Sequence, residues 1–486
     1  MSLTRNIAHN TIIQFGGKII GMVIGLVTFS MMAGYLHDDG VGGYTTIISF
    51  LSIFGILADM GLYIILVKQI SEKGADEETI VANVFAFRLV IAAVILAFAP
   101  LLAMLPIFPY PHAVRVGIAI GTLSFLFISL NQLLVGVFQR HMRMDKVAIG
   151  EVLGRVALFA GTFLAIRLNS GLVGIVIAIV SGSFLNFLYV FIAANKHVRI
   201  RLGFDFKVWK HVLFLALPVA ISVVLNLIYL KVGAVFLSVF KTQSEVGVFG
   251  APFKILEIIV TFPAIFAGLL TPPLAEKHSA GDKEKFVQIY RKAFDALAII
   301  VFPMVIGIAW YAKQIMVLIR ADFPGTDVVL RILIFAIAMI FFSNLFGNTI
   351  VAIERQKNMI WGYFVTAVLA VIANYFFIQA YSSVGAAFST VISESLIAFF
   401  AAFVIYRYTK IIPSFRVFFK ALLCGLIMLG VCAILPFKNM FVGGMIGLIV
   451  YVCAMVVVKG ITPDVITEIV RLRRGQHMEN PIELGE

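Results

Sequence analysis

An all-α integral membrane protein of about 14 transmembrane helices is the fold class predicted, and three features of the sequence predict it. Of 486 residues, 61% are hydrophobic and only 13% charged, a charged share about half that of an average soluble domain. Mean hydropathy is +1.04. The apolar residues also gather in 14 runs, each near the roughly 20 residues that a helix needs to cross a bilayer. Lipid offers the backbone no hydrogen-bond partner, so such runs fold as helices. The ten-residue alternation of a membrane barrel is missing. A soluble enzyme, a nucleic-acid-binding module and a disordered chain are excluded by the same arithmetic.

The runs can be taken in order, with the N-terminus placed in the cytoplasm. Spans 1 (12–34) and 2 (43–67) lead to Lys68 and Lys73. Spans 3 (81–105) and 4 (114–138) lead to Arg140, Arg143 and Lys146. Spans 5 (147–166) and 6 (171–194) lead to the basic segment from Lys196 to Lys210. Spans 7 (211–238) and 8 (246–272) lead to the segment from Lys277 to Lys292. Spans 9 (291–312) and 10 (330–353) lead to Arg355 and Lys357, and spans 11 (359–379) and 12 (385–406) to Arg407, Lys410, Arg416 and Lys420. Spans 13 (416–435) and 14 (441–459) close the series, before a tail whose Pro463–Arg474 stretch is expected to form a short basic helix. The N-terminal stretch MSLTRNIAHNTIIQFGGKII lacks a cleavable-signal pattern and is read as part of a retained helix.

With this threading, 26 of the 38 basic residues fall in inner segments, 7 in outer ones and 5 inside spans. Positive loops stay in the cytoplasm, so the expectation is a multi-pass protein of a bacterial or archaeal cytoplasmic (inner) membrane with both termini cytoplasmic. Loop charge accounts for most of the net +13 without nucleic acid. Cys424, Cys432 and Cys453 show no ligand spacing, and the eight histidines fall in loops or at helix ends, so no metal site is expected.

The chain repeats itself. GVGGYTTIISF at 40–50 matches EVGVFGAPFKI at 245–255, Glu72–Lys73 matches Glu276–Lys277, and Val173–Gly174 matches Val384–Gly385. Spans 1–6 therefore correspond to spans 7–12. An even number of spans per copy gives two parallel, pseudo-symmetric six-helix lobes. The expected domains are an N-terminal lobe (1–205), a C-terminal lobe (206–410), two added spans (411–460) and a cytoplasmic tail (461–486).

The run AGYLHDDGVGGYTTIISFLSIFGILADMGLYIILVKQISE (33–72) resembles the first hairpin of the polysaccharide (O-antigen or lipid-linked oligosaccharide) flippases, within the multidrug/oligosaccharidyl-lipid/polysaccharide exporter superfamily. LPVAISVVLNLIYLKVGAVFLSVFKTQSEVGVFGAPFKILEIIVTFPAIF (217–266) is similar to the start of their second lobe, and IERQKNMIWGYF (353–364) and YSSVGAAFSTVISESL (381–396) fit as well. The resemblance covers roughly residues 10–410. It implies a flippase, not an enzyme, that moves undecaprenyl-pyrophosphate-linked oligosaccharide from the inner to the outer leaflet by alternating access around a central, often cationic cavity. One departure stands out. Members often carry an acid in span 7 after an aromatic-basic pair; here YLKVG puts Lys231 in the basic place and Gly233 in the acidic one. A multidrug or cation antiporter of the same superfamily would need an acidic cavity instead. A peptidoglycan-precursor (lipid II) flippase would carry arginines in its first helices, where this chain offers only Lys18. A membrane glycosyltransferase or polymerase would want a sizeable outer loop. The expected partners are the lipid-linked glycan, membrane lipid and a polysaccharide polymerase or glycosyltransferases, with the chain itself monomeric.

Ionisable groups inside a bilayer cost several kcal/mol and mark functional positions or buried pairs. Lys254, Arg155, Arg88 and Lys231 are the candidate contacts for an anionic headgroup. Each has a plainer reading beside it: a Lys254–Glu257 pair at i, i+3, an Arg155–Glu151 pair one turn apart, and snorkelling for Arg88 and Lys231. Glu394 near the middle of span 12, Glu257 in span 8 and Asp59 in span 2 are the candidate protonatable or coupling groups, with Asp295 weaker. Asn131, Asn186, Asn226, Asn344, Asn348 and Asn374 read as interhelical glue or sugar contacts. Gly17, Gly21 and Gly25 form two overlapping GxxxG units that favour close helix packing. Pro218, Pro263 and Pro303 are candidate hinges, since proline removes a helix hydrogen bond. No GxxxxGK[ST] loop is present, so no cofactor is expected and transport would draw on a coupling ion, H+ or Na+, or on the membrane potential.

Overall fold

The computed structural model describes residues 3–460 except Lys73 and 436–438; for 3–15, 217–219 and 221–230 it describes the backbone alone. The expected tail helix at 463–474 lies outside the described residues.

Among the described residues, eleven helices are long and apolar enough to cross a membrane. Two of them hide a reversal. Leu3–Asp59 is interrupted at the single residue His37 (φ 56°, ψ −167°). The rings of Phe29 and Tyr44, on either side of that residue, lie 6.4 Å apart, so the chain folds back there. Ile360–Thr409 turns at Ser382 (φ 50°, ψ −128°), and a Cβ on Gly362 would stand 2.9 Å from the Phe400 Cβ. Each of these runs is two spans. The 35-residue helix Phe206–Phe240 supplies the remaining crossing, which brings the spans to the predicted fourteen.

The two hairpin turns are shorter than the sequence implied. Hydropathy left residues 35–42 as a loop, yet 38–42 is already helical, because one left-handed residue suffices to reverse the chain. Two spans carry internal breaks that hydropathy missed. Span 2 stops at Met60–Gly61, both at positive φ, and resumes as Leu62–Ile70. Span 8 is Gln243–Ile259 followed by Thr261–Ser279. Pro263 cannot donate to the carbonyl four residues earlier, and the break at Val260 sits there. Pro303, by contrast, lies within the unbroken helix Lys283–Trp310. The Pro218 side chain lies outside the described residues.

Apolar packing forms one cluster around Leu62, Leu66, Leu133, Phe138 and Val190 in the first half of the chain. A second joins spans 7 to 12 through Leu237, Phe249, Leu333, Ile337 and Leu345. A third bridges the halves: Phe29, Met32 and Val41 meet Ala251, Ile255 and Leu330. Spans 13 and 14 pack on span 9 through Cys424, Met428 and Tyr451. Span 2 and span 8 meet at the His37 end of the bundle, backbone to backbone. A Cβ on Gly42 would stand 1.7 Å from the Gln243 carbonyl oxygen, and one on Gly247 would stand 2.1 Å from that of Asp38. Thr46 donates to Gln243 Oε1 at 2.8 Å, and Ser244 to the Asp38 carboxylate.

Candidate functional site: two cavities that share Glu257

Immediately beside the bridging cluster lies a cavity of about 230 Å³, lined from the first half by Gly21, Gly25, Thr28, Tyr44 and Arg155 and from the second by Lys254 and Glu257. Span 5 presents Arg155 across span 1. There the glycine pair makes room for the guanidinium. A Cβ on Gly21 would lie 3.6 Å from Arg155 Cγ, and one on Gly25 3.6 Å from its Nη1. Gly17, one turn earlier, touches Ala148 instead. Thus only the first glycine of the series serves helix contact, and the other two form the bed of a charged side chain.

A second cavity, about 400 Å³, lies within the second half. Lys231, Glu257, Asn344, Asn348, Tyr363 and Glu394 are among its lining residues. Glu257 faces both cavities, and each of its oxygens accepts from a different ammonium: Lys231 Nζ to Oε1 at 2.8 Å and Lys254 Nζ to Oε2 at 2.9 Å. The side chains of Lys231, Lys254 and Glu257 are 17%, 29% and 33% exposed, so the triad is desolvated in part and still open to solvent in the cavities. Lys231 Nζ also sits 5.2 Å over the Phe253 ring, a favourable cation–π position. The break at Val260 falls just beyond Glu257, where the Thr261 hydroxyl donates to the Glu257 carbonyl at 3.4 Å.

Several expectations change on this geometry. Lys231 does not snorkel to an interface; it is the second cation on Glu257. Arg155 does not pair with Glu151, and no described carboxylate lies within ion-pair distance of it. Arg88 neither snorkels nor reaches a cavity. It is fully buried between spans 2, 3 and 4, with Nη1 2.6 Å from Asp59 Oδ1, aligned on the Asp59 carbonyl, and with Nη2 donating to the Ser129 carbonyl at 3.3 Å. Asp59 thereby becomes the partner of Arg88, away from both cavities. Glu394 is 3% exposed and has no hydrogen bond or ion pair among the described residues.

Gly233, the position where the resemblance led an acid to be expected, lies against Asn374: a Cβ there would stand 3.0 Å from Asn374 Oδ1, a buried acceptor with no hydrogen-bond partner among the described residues. Asn344 and Asn348 use their amides on the helix, donating to the carbonyls of Ile340 and Asn344, and Asn348 Oδ1 accepts from the Thr271 hydroxyl at 2.8 Å. The side-chain oxygens of Asn131 and Asn186 are buried without hydrogen-bond partners among the described residues. Thr28, Tyr44 and Tyr363 were not singled out from the sequence, because threonine and tyrosine recur throughout the apolar runs and nothing in their spacing sets these three apart. A further cavity, about 540 Å³, is apolar and lies between spans 9, 13 and 14, with Pro303 in its wall. Among the described residues there is no group of three potential metal ligands.

The same fold is found in solved transporters of the multidrug/oligosaccharidyl-lipid/polysaccharide superfamily. A structure described as lipid II flippase MurJ in an inward closed conformation superposes with a TM-score of 0.76 at 16% identity, over 96% of this chain and all of that one. An inward-facing multidrug resistance MATE family transporter matches with a TM-score of 0.65 at 16% identity, over 82% of this chain and 97% of that one. A superfamily transporter from Pyrococcus furiosus, described as having a binding pocket of reversed polarity, gives 0.58 at 14%, over 83% and 95%. The profile of the polysaccharide biosynthesis protein family matches residues 7–278, and the chain belongs to that family. Its sequence is also similar to a probable low-salt glycan biosynthesis flippase, Agl15, of Haloferax volcanii, 20% identical over 484 residues that cover 96% of this chain and 99% of the relative.

Proposed function

We propose that this multi-pass membrane protein is a flippase that carries undecaprenyl-pyrophosphate-linked oligosaccharide from the inner to the outer leaflet of the cytoplasmic membrane, with both termini cytoplasmic. The observation that carries the reading is the joint presence of Arg155 and Lys254, one from each half of the chain, in a single cavity. A guanidinium matches phosphate oxygens in a planar fork, and an ammonium adds a point charge. A site of that sign suits an anionic headgroup and repels the cations of a multidrug antiporter. The glycan would lie along the polar wall and the lipid tail would remain in the bilayer. The six-span lobes, 1–205 and 206–410, would rock about the seam, with the break at Val260 and Pro263 as a bending point. An H+ or Na+ gradient acting at Glu394 would drive the cycle. The family description and the glycan-flippase relative support this class of cargo. The similarity to MurJ supports a second reading, in which the same diphosphate chemistry serves the peptidoglycan precursor.

The test is reconstitution. Proteoliposomes holding the purified chain are loaded with a fluorescent prenyl-diphosphate oligosaccharide or with lipid II, and crossing is read by a membrane-impermeant quencher. The proposal expects crossing of the oligosaccharide carrier and its loss in Arg155→Ala and Lys254→Ala. Normal crossing in both variants overturns it, and crossing of lipid II alone selects the second reading.

A further inference from the structure

We infer that Glu257 is an internal stand-in for the cargo's anionic headgroup and that Lys231, across the partition, is the reserve counter-ion that lets Glu257 yield. This rests on the proposed anionic cargo and assigns separate tasks to three residues that the sequence alone would place together as headgroup contacts or a coupling group.

The argument starts from the inventory of charges at the seam. The cavity between the halves holds two cations, Arg155 and Lys254. Among the described residues Arg155 has no ion-pair partner, whereas Lys254 is held by Glu257 Oε2 at 2.9 Å. A headgroup arriving in that cavity meets a free guanidinium first and must then take Lys254 from Glu257. Removing one partner from a desolvated ion pair strands the other, and the stranded charge is the dominant cost. Here it is not stranded. Glu257 Oε1 already accepts from Lys231 at 2.8 Å, and Lys231 approaches from the other cavity. Its ammonium is also held over the Phe253 ring, so its position does not depend on Glu257 alone. The carboxylate can give up Lys254 and keep a full ion pair.

The exchange runs in both directions. While the headgroup is bound, Lys254 faces phosphate oxygen and Glu257 rests on Lys231. On release, Glu257 returns to Lys254 and competes with the headgroup for it. Binding stays moderate and departure is assisted, as a carrier requires. Lys231 touches no cargo. It is a positioning residue acting through Glu257, and it lines the same cavity as the buried carboxyl of Glu394.

The experiment uses the full chain purified in detergent and calorimetric titration with farnesyl diphosphate. Farnesyl monophosphate and inorganic pyrophosphate serve as parallel probes, to separate the contributions of the second phosphate and the prenyl chain. Lys231→Met should weaken binding of farnesyl diphosphate by roughly tenfold, within the range for truncating one member of a partly buried charge pair. Glu257→Gln should tighten it several-fold, because the competitor is gone. In Lys231→Met/Glu257→Gln the loss should vanish and affinity return to the native value or better. A purely structural role for Lys231 would leave the double variant as weak as Lys231→Met. That result, or weaker binding in Glu257→Gln alone, overturns the inference. If Lys231→Met does not fold, the Glu257→Gln comparison decides by itself. A native protein that binds none of the three probes overturns the anionic cargo and this inference with it; native binding with additive losses overturns this inference alone.

Discussion

Arg88 Nη1 lies 2.6 Å from Asp59 Oδ1 at the junction of spans 2, 3 and 4, with the arginine side chain 1% exposed and the aspartate 27%. Such a pair is conspicuous in a hydropathy plot, and its position explains why it is tolerated. The guanidinium meets one carboxylate and two main-chain carbonyls beside the break at Met60–Gly61, where the helix leaves acceptors free. Asp59→Ala removes the counter-ion and leaves a buried cation. The expected loss is about 3 kcal/mol of stability, the lower end for breaking a buried pair. Arg88→Met combined with Asp59→Asn should recover most of it. Thermal unfolding of the purified variants checks this, and binding of an anionic probe by the folded fraction should be unchanged.

The contact of Gly42 with Gly247 leaves no room for a methyl group. Either glycine changed to alanine must separate spans 2 and 8 at the His37 end, since the obstacle is backbone. Overpacking of this kind costs about 1–3 kcal/mol. The expected outcome is a lowered melting temperature together with faster labelling of a cysteine placed at Thr46, whose hydroxyl now bonds to Gln243. Unchanged labelling would mean that the two spans part there in the native cycle at no cost.

Glu394 lines the second cavity without a hydrogen bond or ion pair among the described residues. Glu394→Gln keeps its volume and removes its titration. Flipping driven by an imposed proton or sodium gradient in proteoliposomes should fall to the ungraded rate, while the rate without a gradient stays near native. Retention of gradient stimulation would assign the coupling elsewhere.

Outside the membrane, Asp76 caps the first turn of span 3. Its carboxylate accepts from the Thr79 hydroxyl at 2.6 Å and from the Thr79 backbone N–H at 3.2 Å, and these bonds hold its pKa below the ordinary 3.8. A carboxylate favoured in the folded state contributes stability above its unfolded pKa, and that contribution is lost as pH falls through the lowered folded value. The amides of 77–80 should exchange faster in Asp76→Ala at neutral pH. The native protein should show the same fraying only on acidification below about pH 3.8. Hydrogen exchange followed by mass spectrometry reads both.

Much of the fold was legible because the bilayer imposes one rule on every segment, and each apolar run overlaps an observed span, although several spans extend beyond the run at one end. What hydropathy could not convey is where a single residue turns the chain. His37 and Ser382 lie inside stretches that remain helical on both sides, so the loops expected there contract to one position each. The candidate site was legible as a set of ionisable residues and illegible as a set of pairs. Arg155 and Glu151, one turn apart, were the natural partners on one helix, yet the glycine bed of span 1 draws the arginine into the cavity. Lys231 and Glu257 belong to different spans, and nothing local marks their contact. Glycine spacing likewise indicated close packing in span 1 without distinguishing contact with a neighbouring helix from accommodation of a guanidinium.

Gly42 and Gly247 hold the same place in the two copies of the repeat, so the seam they close is a surface meeting its own duplicate. A contact of that kind is isologous, the type that two identical subunits form around a twofold axis. A six-span unit paired with a second copy of itself could close in the same way. Within one chain neither copy is obliged to match the other. One could keep a solitary arginine and the other acquire two lysines around a glutamate, an asymmetry that no homodimer can encode.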